Sequence, residues 1–167
     1  MKPRDANGKQ SYPLPDCAGR RFAIVVARFY RELSDDLIDG ARRGLADCGV
    51  AGDDIDVIEV PGCFELPLAC RKSIDADRYD GLVALGVVIR GETPHFEFVA
   101  GECARGLMDV QLETMVPIGF GVLTTENLAQ AQERADPKRG DKGYQAAIAA
   151  ASLVSVPKNL PRAGFRA

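Results

Sequence analysis

Runs of apolar and β-branched residues alternate with longer segments of mixed polarity along this chain. Such runs are typical of buried β-strands, and they predict strands over 22–27, 55–60, 81–89 and 116–124. The third run, GLVALGVVI, is the most apolar of the four. We expect it to form the central strand of a sheet.

The segments between these runs have the apolar spacing of amphipathic helices. The first of them is SDDLIDGARRGLADCGV, in which Ser34 is predicted to be the N-cap and Gly49 to end the helix. A short helix is expected after the turn at Pro61-Gly62, with Pro67 in its first turn.

Three further helices follow in the second half of the chain. One is predicted over 94–112, with Thr93 as its N-cap and Pro94 at its first position. Thr125 is predicted to cap the helix of TENLAQAQERA, and DKGYQAAIAAASLVSV is predicted to form the last helix.

The order strand, helix, strand, helix, repeated four times, is typical of a parallel sheet with helices on both faces. The predicted fold is therefore a three-layer α/β/α sandwich around a four-stranded parallel sheet. We expect a single domain over 21–156, preceded by an arm over 1–20 and followed by a flexible tail over 157–167. The arm is expected because residues 1–20 are mostly polar and contain two prolines close together.

Composition excludes several classes of function. A net charge of −3 over 167 residues gives no electrostatic basis for binding DNA or RNA. The five cysteines form no CxxC pair, and one histidine cannot complete a usual zinc site, so we expect reduced thiols and no metal. The N-terminus has no signal-peptide pattern, and no apolar run is long enough to span a membrane. These features predict a soluble cytoplasmic protein.

Ligands of open parallel sheets bind at the carboxyl ends of the strands. In this chain the rule selects the segments 28–30, 61–65 and 87–95, together with Phe120 and the loop at 124–125. Aromatic residues and the only histidine, His95, are found in these segments.

The sequence GETPH places His95 in the first turn of a predicted helix. Free backbone N–H groups at a helix start favour an anion, and Gly91 allows a ligand to approach the backbone closely. His95 is thus a candidate acid–base residue beside an anion site, although a surface residue at a helix start would show the same spacing. Neither nucleotide-binding glycine fingerprint is present, so no NAD or ATP site is expected.

Five segments together resemble the lumazine synthase family: ARFY, VPGCFELP, GVVIRGETPHFEFV, PIGFGVLTTENLAQAQERA and GDKGYQAA. The resemblance extends in order from about residue 20 to 155. It implies a flavodoxin-like sandwich and an enzyme of riboflavin biosynthesis. The implied reaction joins 5-amino-6-(D-ribitylamino)uracil to 3,4-dihydroxy-2-butanone 4-phosphate, giving 6,7-dimethyl-8-ribityllumazine, phosphate and water. No metal or organic cofactor is implied.

The resemblance also assigns roles to individual positions. His95 takes the place of the general acid/base, and Phe29 that of the aromatic that stacks on the pyrimidine. The ribityl chain and nearby ring are assigned to Cys63, Phe64 and Glu65, and the backbone that binds the pyrimidine to Val87, Val88 and Ile89. The phosphate is assigned to the turn at Glu92 and Thr93, and to Arg134 of a neighbouring subunit, which also supplies Phe120.

The residues alone leave simpler interpretations open for some of these positions. Phe29 also fits core packing, Arg134 fits a cation that stabilises a helix C-terminus, and Cys63, where the family usually has Ala, fits a small buried apolar residue. Two departures lie beside the motifs: Tyr30 stands where many members have Asn, and Asp141 replaces the usual Asn before Lys-Gly.

The family resemblance implies homo-oligomers, which are pentamers with active sites between subunits. Twelve pentamers form a 60-subunit icosahedral shell where the turn between the last two helices permits this assembly. It also implies riboflavin synthase as a candidate protein partner. Two rival functions on the same fold are an archaeal-type riboflavin synthase, which dismutates two lumazines, and a flavin-binding or storage protein. The intact GETPH turn favours lumazine synthase.

Overall fold

A computed structural model describes residues 14–157 of the chain. Its strands are β1 (Phe22–Ala27), β2 (Ile55–Val60), β3 (Gly81–Ile89) and β4 (Ile118–Thr125). They pair in parallel in the order β2-β1-β3-β4, which places β3 inside the sheet as predicted. The first three strands have the predicted bounds, and β4 begins two residues later and ends one residue later than expected.

The α-helices of the described residues are α1 (Arg31–Asp47), α2 (Leu66–Asp75), α3 (His95–Thr114), α4 (Leu128–Ala135) and α5 (Lys142–Val154). Short 3₁₀ turns at Gly52–Asp54 and Cys63–Glu65 precede β2 and α2.

Alternate residues of the strands pack on opposite faces of the sheet. On one face, residues such as Ile24 and Val83 pack against α1, α4 and α5. On the other face, residues such as Val25 and Leu82 pack against α2 and α3. The predicted three-layer α/β/α sandwich, with a four-stranded parallel sheet and the flavodoxin-like arrangement, is therefore confirmed.

The α5 helix lies very close to β4. A Cβ atom at Gly119 would be 2.1 Å from the backbone oxygen of Ala146, so a side chain at this position would push the helix away from the sheet. The glycine on the strand and the run of alanines on α5 thus allow a close contact between helix and sheet.

Three of the predicted helix caps are wrong. Ser34 lies inside α1, which begins three residues earlier, and the Ser34 hydroxyl donates to the Arg31 carbonyl (2.8 Å). Thr125 is the last residue of β4, and Asn127 instead caps α4 by accepting a hydrogen bond from the Gln130 N–H (3.0 Å).

Thr93 precedes α3 by two residues, and the cap position is held by Pro94 without a side-chain hydrogen bond. The predicted end of α1 is confirmed, because Gly49 has a φ of +85° and its N–H donates to the Ala46 carbonyl (2.9 Å). Pro67 lies in the first turn of α2, as expected.

The expected arm and tail fall only in part within the structure, because residues 1–13 and 158–167 lie outside the described residues. Within the described part, Cys17 is buried and its N–H donates to the Cys48 carbonyl (2.7 Å). This bond attaches the segment before β1 to the end of α1.

Over residues 14–157, no helix combines the length and apolar character that crossing a membrane requires. All five cysteines are free thiols and are buried.

Candidate active site

A cleft of about 550 Å³ opens at the carboxyl ends of β1, β2 and β3, beside the start of α3. It is lined by most of the residues that the sequence assigned to a site: Phe29, Cys63, Phe64, Glu65, Val87, Val88, Ile89, Thr93 and His95. These residues come from four separate stretches of the chain, and the parallel sheet brings them to one edge. The remaining three, Glu92, Phe120 and Arg134, do not line the cleft.

Sequence reasoning missed Phe96, Phe98 and Val99 of the cleft wall, whereas Tyr30, Gly62 and Gly91, which also line it, lie within the segments that the strand-end rule selected. A signal for two of them was present, because Phe98 and Val99 follow His95 by three and four positions and so share its side of α3. Tyr30 was given no site role of its own and was noted as a departure from the family.

The end of β3 has an unpaired edge inside the cleft. Pairing of β3 with β1 ends at Leu85, opposite Val26, whereas pairing with β4 continues to Ile89, opposite Thr125. Backbone groups of 87–89 that face away from β4 therefore have no strand partner and are available to a ligand, except that the Val87 carbonyl accepts from the Cys63 thiol. They form a short row of donors and acceptors, which suits a flat heterocycle with amide groups.

Cys63 forms part of the floor of the cleft. Its thiol is buried and donates to the Val87 carbonyl (Sγ to O, 3.8 Å). A Cβ atom at Gly86 would be 2.5 Å from this sulfur, so the glycine makes room for it. Desolvation raises the pKa of Cys63 to about 11, which keeps the thiol neutral at pH 7. Cys63 behaves as a small buried residue with no nucleophilic character.

Glu65 projects from the 3₁₀ turn after β2. Its Oε2 accepts the N–H of Gly62 (2.9 Å), which fixes the carboxylate at the rim of the cleft. A carboxylate has about four acceptor positions, so Glu65 keeps the capacity to accept further hydrogen bonds from hydroxyl groups.

Exposed aromatic rings flank the cleft on two sides. Phe29 is 73% exposed and Phe64 is 60% exposed, although both are large and apolar. The ring of Tyr30 stands edge-on to that of Phe29, with centroids 5.0 Å apart. Rings that remain exposed beside an apolar cleft are typical of a site that binds a flat molecule. The simpler interpretation of Phe29 as a core residue does not fit its exposure.

His95 is the first residue of α3, and its side chain is exposed at the rim of the cleft. The first N–H groups of a helix have no partners within the helix, so they can bind an anion beside His95 and Thr93. The cleft wall contains no lysine or arginine from the described residues. Among residues 14–157, the cleft wall therefore offers no cationic side chain to a phosphate bound here.

Phe120 and Arg134 lie elsewhere on the chain. Phe120 is half exposed and faces a separate apolar groove against α3, lined also by Leu107 and Met108. It pairs with Ala84, three residues before the cleft residue Val87, or about 10 Å along the strand. Arg134 is in the last turn of α4, where its guanidinium donates to the Gln130 carbonyl (3.0 Å).

Residues 14–157 contain no group of three or more histidine, cysteine or acidic side chains placed to hold a metal ion. The cleft instead combines an imidazole, a helix start, an unpaired strand end and exposed aromatic rings. This geometry is suited to an α/β enzyme that holds a flat small molecule and an anion side by side, with a group able to move protons between them.

Comparison with known proteins identifies the family. A family model described as 6,7-dimethyl-8-ribityllumazine synthase matches residues 19–158, and the chain belongs to this family. Among its relatives is a protein of that name from Chlorobaculum parvum, 48% identical over 142 residues, which cover 85% of this chain and 91% of the relative. Another, from Desulfotalea psychrophila, is 49% identical over 138 residues, which cover 83% of this chain and 89% of the relative.

Proposed function

We propose that this protein is a 6,7-dimethyl-8-ribityllumazine synthase, which condenses 5-amino-6-(D-ribitylamino)uracil with 3,4-dihydroxy-2-butanone 4-phosphate. The observation that carries the proposal is that one cleft brings together His95, the exposed rings of Phe29 and Phe64, and the unpaired end of β3. Family membership supports the same reaction.

The pyrimidine occupies the inner part of the cleft in this proposal. The backbone of 87–89 binds its amide groups, and Phe29 stacks on its ring, which contributes about 1 kcal/mol beyond the burial of apolar area. The ribityl hydroxyls lie against Glu65 and Phe64, above the neutral thiol of Cys63. This placement is supported by the apolar floor and by the acceptor capacity of Glu65.

His95 is the general acid/base of the reaction. The pyrimidine amine attacks the butanone carbonyl to give an imine with loss of water, and phosphate then leaves by elimination. The ribitylamino nitrogen attacks the remaining carbonyl carbon and closes the ring with loss of a second water. Each step moves a proton between neighbouring atoms, so one imidazole at the rim is sufficient. Much of the acceleration comes from holding the two reactants side by side.

The phosphate lies at the start of α3, against the turn of Glu92 and Thr93. The cleft wall formed by the described residues contains no lysine or arginine, and we assign the cation to a second copy of the chain. Arg134 is the residue proposed for this role, and Phe120 of the same neighbour closes the cleft. The exposed side chains of Met108, Leu112 and Met115 on and after α3 provide an apolar surface for such a neighbour.

A head-to-tail contact of this kind closes into a ring, and we propose a pentamer. The short turn between α4 and α5, residues 136–141, supports further assembly of twelve pentamers into a 60-subunit shell. The enzyme is proposed to act in the cytoplasm, without a metal or cofactor. Riboflavin synthase, which consumes the product, is a candidate partner, and neither nucleic acid nor membrane is proposed as one.

The purified protein tests the proposal directly. Incubated with both substrates, it should form the lumazine and release one equivalent of inorganic phosphate, with the rate unchanged by EDTA. Incubation with the lumazine alone should yield no riboflavin. Riboflavin formed from the lumazine alone would favour the riboflavin synthase alternative. A yellow protein with bound flavin and no turnover of either substrate would favour the storage alternative.

A further inference from the structure

Arg90 follows the last residue of β3 and connects three parts of the chain. Its backbone N–H donates to the carbonyl of Thr125 at the end of β4 (2.9 Å). Its Nε donates to Oε2 of Glu126 (2.7 Å), and another guanidinium nitrogen donates to the carboxylate of Glu97 on α3. The guanidinium carbon lies 4.2 Å from the centre of the Phe96 ring.

The segment between Arg90 and α3 has few other contacts. Residues 91–95 are all exposed, and a Cβ atom at Gly91 would meet nothing within 4 Å. Among the described residues, the backbone hydrogen bond that involves this turn runs from the Glu97 N–H to the Pro94 carbonyl (3.1 Å). Packing therefore does little to fix the position of the turn that presents Thr93 and His95.

We propose that Arg90 is a positioning residue, which holds the 91–95 turn between the end of β4 and the first turn of α3. It thereby places His95 and the phosphate-binding residues Glu92 and Thr93. Arg90 does not itself line the cleft, so it acts through these residues. The effect of Arg90 on catalysis rests on the proposed function. Its effect on the position of the 91–95 turn does not.

Arginine suits this role because its planar guanidinium can bind two carboxylates and an aromatic face at once in a fixed geometry. The hydrogen bond from Arg90 lowers the pKa of Glu97, which keeps this carboxylate charged and paired with Arg90 at neutral pH. Ion pairs as exposed as these add little to global stability. A displacement of about 1 Å at a reacting group, in contrast, costs on the order of a hundredfold in rate.

A matched set of variants tests the proposal. Arg90→Gln removes all three side-chain contacts, and Glu126→Gln weakens one of them while leaving the charge of Arg90. Arg71→Gln is the control, because Arg71 also pairs with two carboxylates, Asp75 and Glu113 on two helices, at similar exposure and away from the cleft.

We expect Arg90→Gln to lower kcat about tenfold and to raise KM for the butanone phosphate about fivefold, with KM for the pyrimidine changed less than about twofold. Glu126→Gln should change the same two constants in the same direction, to a smaller extent. Arg71→Gln should leave all three unchanged. Equal changes in KM for both substrates would overturn the positioning role. Changes in kcat and KM that parallel the melting temperature in all variants would also overturn it.

Glu126→Gln also separates positioning from a direct action of the Arg90 charge on phosphate. If Arg90 acted through its charge, releasing it from Glu126 would leave KM for the butanone phosphate unchanged or lower it. Hydrogen exchange provides a measurement that is independent of activity. The Glu97 amide, which donates to the Pro94 carbonyl of the turn, should exchange faster in Arg90→Gln than in the parent and in Arg71→Gln. Equal exchange in all three would refute the proposal even if the parent makes no lumazine.

Discussion

The rings of Phe29 and Tyr30 meet edge to face at the mouth of the cleft, with their planes inclined by 68°. Tyr30 is partly buried against the core, whereas Phe29 is largely exposed. The buried ring therefore supports the exposed one and limits the orientations that Phe29 can adopt. Such a pair presents a fixed face to a flat ligand at a small cost in conformational entropy.

Phe29→Ala should raise KM for the pyrimidine about fivefold, because the stacking contribution is about 1 kcal/mol. The KM for the butanone phosphate and the melting temperature should change little, since the side chain is mostly exposed. Steady-state kinetics with each substrate varied in turn makes the comparison, with Phe29→Tyr as the control that keeps the ring. A fall in stability without an effect on KM would show that Phe29 serves packing instead.

Arg134→Ala should weaken binding of the butanone phosphate much more than binding of the pyrimidine. A charge-assisted hydrogen bond to phosphate contributes roughly 1.5–3 kcal/mol, which corresponds to an increase in KM of about ten- to a hundredfold. Arg139→Ala is a suitable control, because Arg139 is exposed in the following turn and pairs with Asp136. Equal losses for the two substrates would contradict the assignment of Arg134 to the phosphate.

Complementation between variants tests whether sites are shared. In the proposed site between two neighbouring chains, His95→Ala and Arg134→Ala each remove a residue from a different chain. When the two variants are unfolded together and reassembled in equal amounts, about one quarter of the sites should regain both residues. Activity should then exceed that of either variant alone. If Arg134 acts within its own chain, the activity of the mixture will be only the average of the activities of the two variants.

The buried thiols predict a pH dependence. Desolvation raises the pKa of Cys48 and Cys63 to about 11 and that of Cys70 and Cys103 to about 12. Because thiolates are the reactive form, these four should react slowly with a disulfide reagent at pH 8 in the native protein, and rapidly in denaturant.

The same shifts affect stability. A thiol pKa that is higher in the folded state favours folding below the unfolded value of about 8.5, and this contribution is lost as pH rises toward the folded value. The free energy of unfolding should therefore fall between about pH 9 and 12. Urea titrations across this range provide the measurement. Rapid reaction of all thiols in the native protein at pH 8 would show that their burial is transient.

The strands could be predicted because each is a short run of apolar residues that the sheet buries. The starts of α1 and α4 could not, because Ser34 and Thr125 have the side chains of caps but are buried elsewhere, Ser34 inside α1 and Thr125 at the end of β4. In the case of Ser34, the guanidinium of Arg28 donates to its hydroxyl (2.8 Å), a contact that local sequence does not indicate.

The cleft was predicted to a similar extent. Residues at strand ends were found because a parallel sheet gathers its carboxyl ends at one edge. Phe98 and Val99 were missed, since their spacing on α3 also fits core packing. The assignment of Phe120 and Arg134 came from the family alone. The fold of one chain places them away from the cleft, so no argument from this chain by itself joins them to His95.

The central claim is that His95 moves the protons of the condensation, and the turnover number of His95→Ala tests it most directly. The side chain is exposed, so the variant should fold, assemble and bind both substrates with nearly unchanged KM values. A positioned acid–base group contributes about 10²–10⁴-fold, and we expect a loss at or below the lower limit of this range, roughly ten- to a hundredfold, because water can carry some of the protons. Turnover equal to that of the parent enzyme would contradict the claim and leave His95 as a surface residue at a helix start.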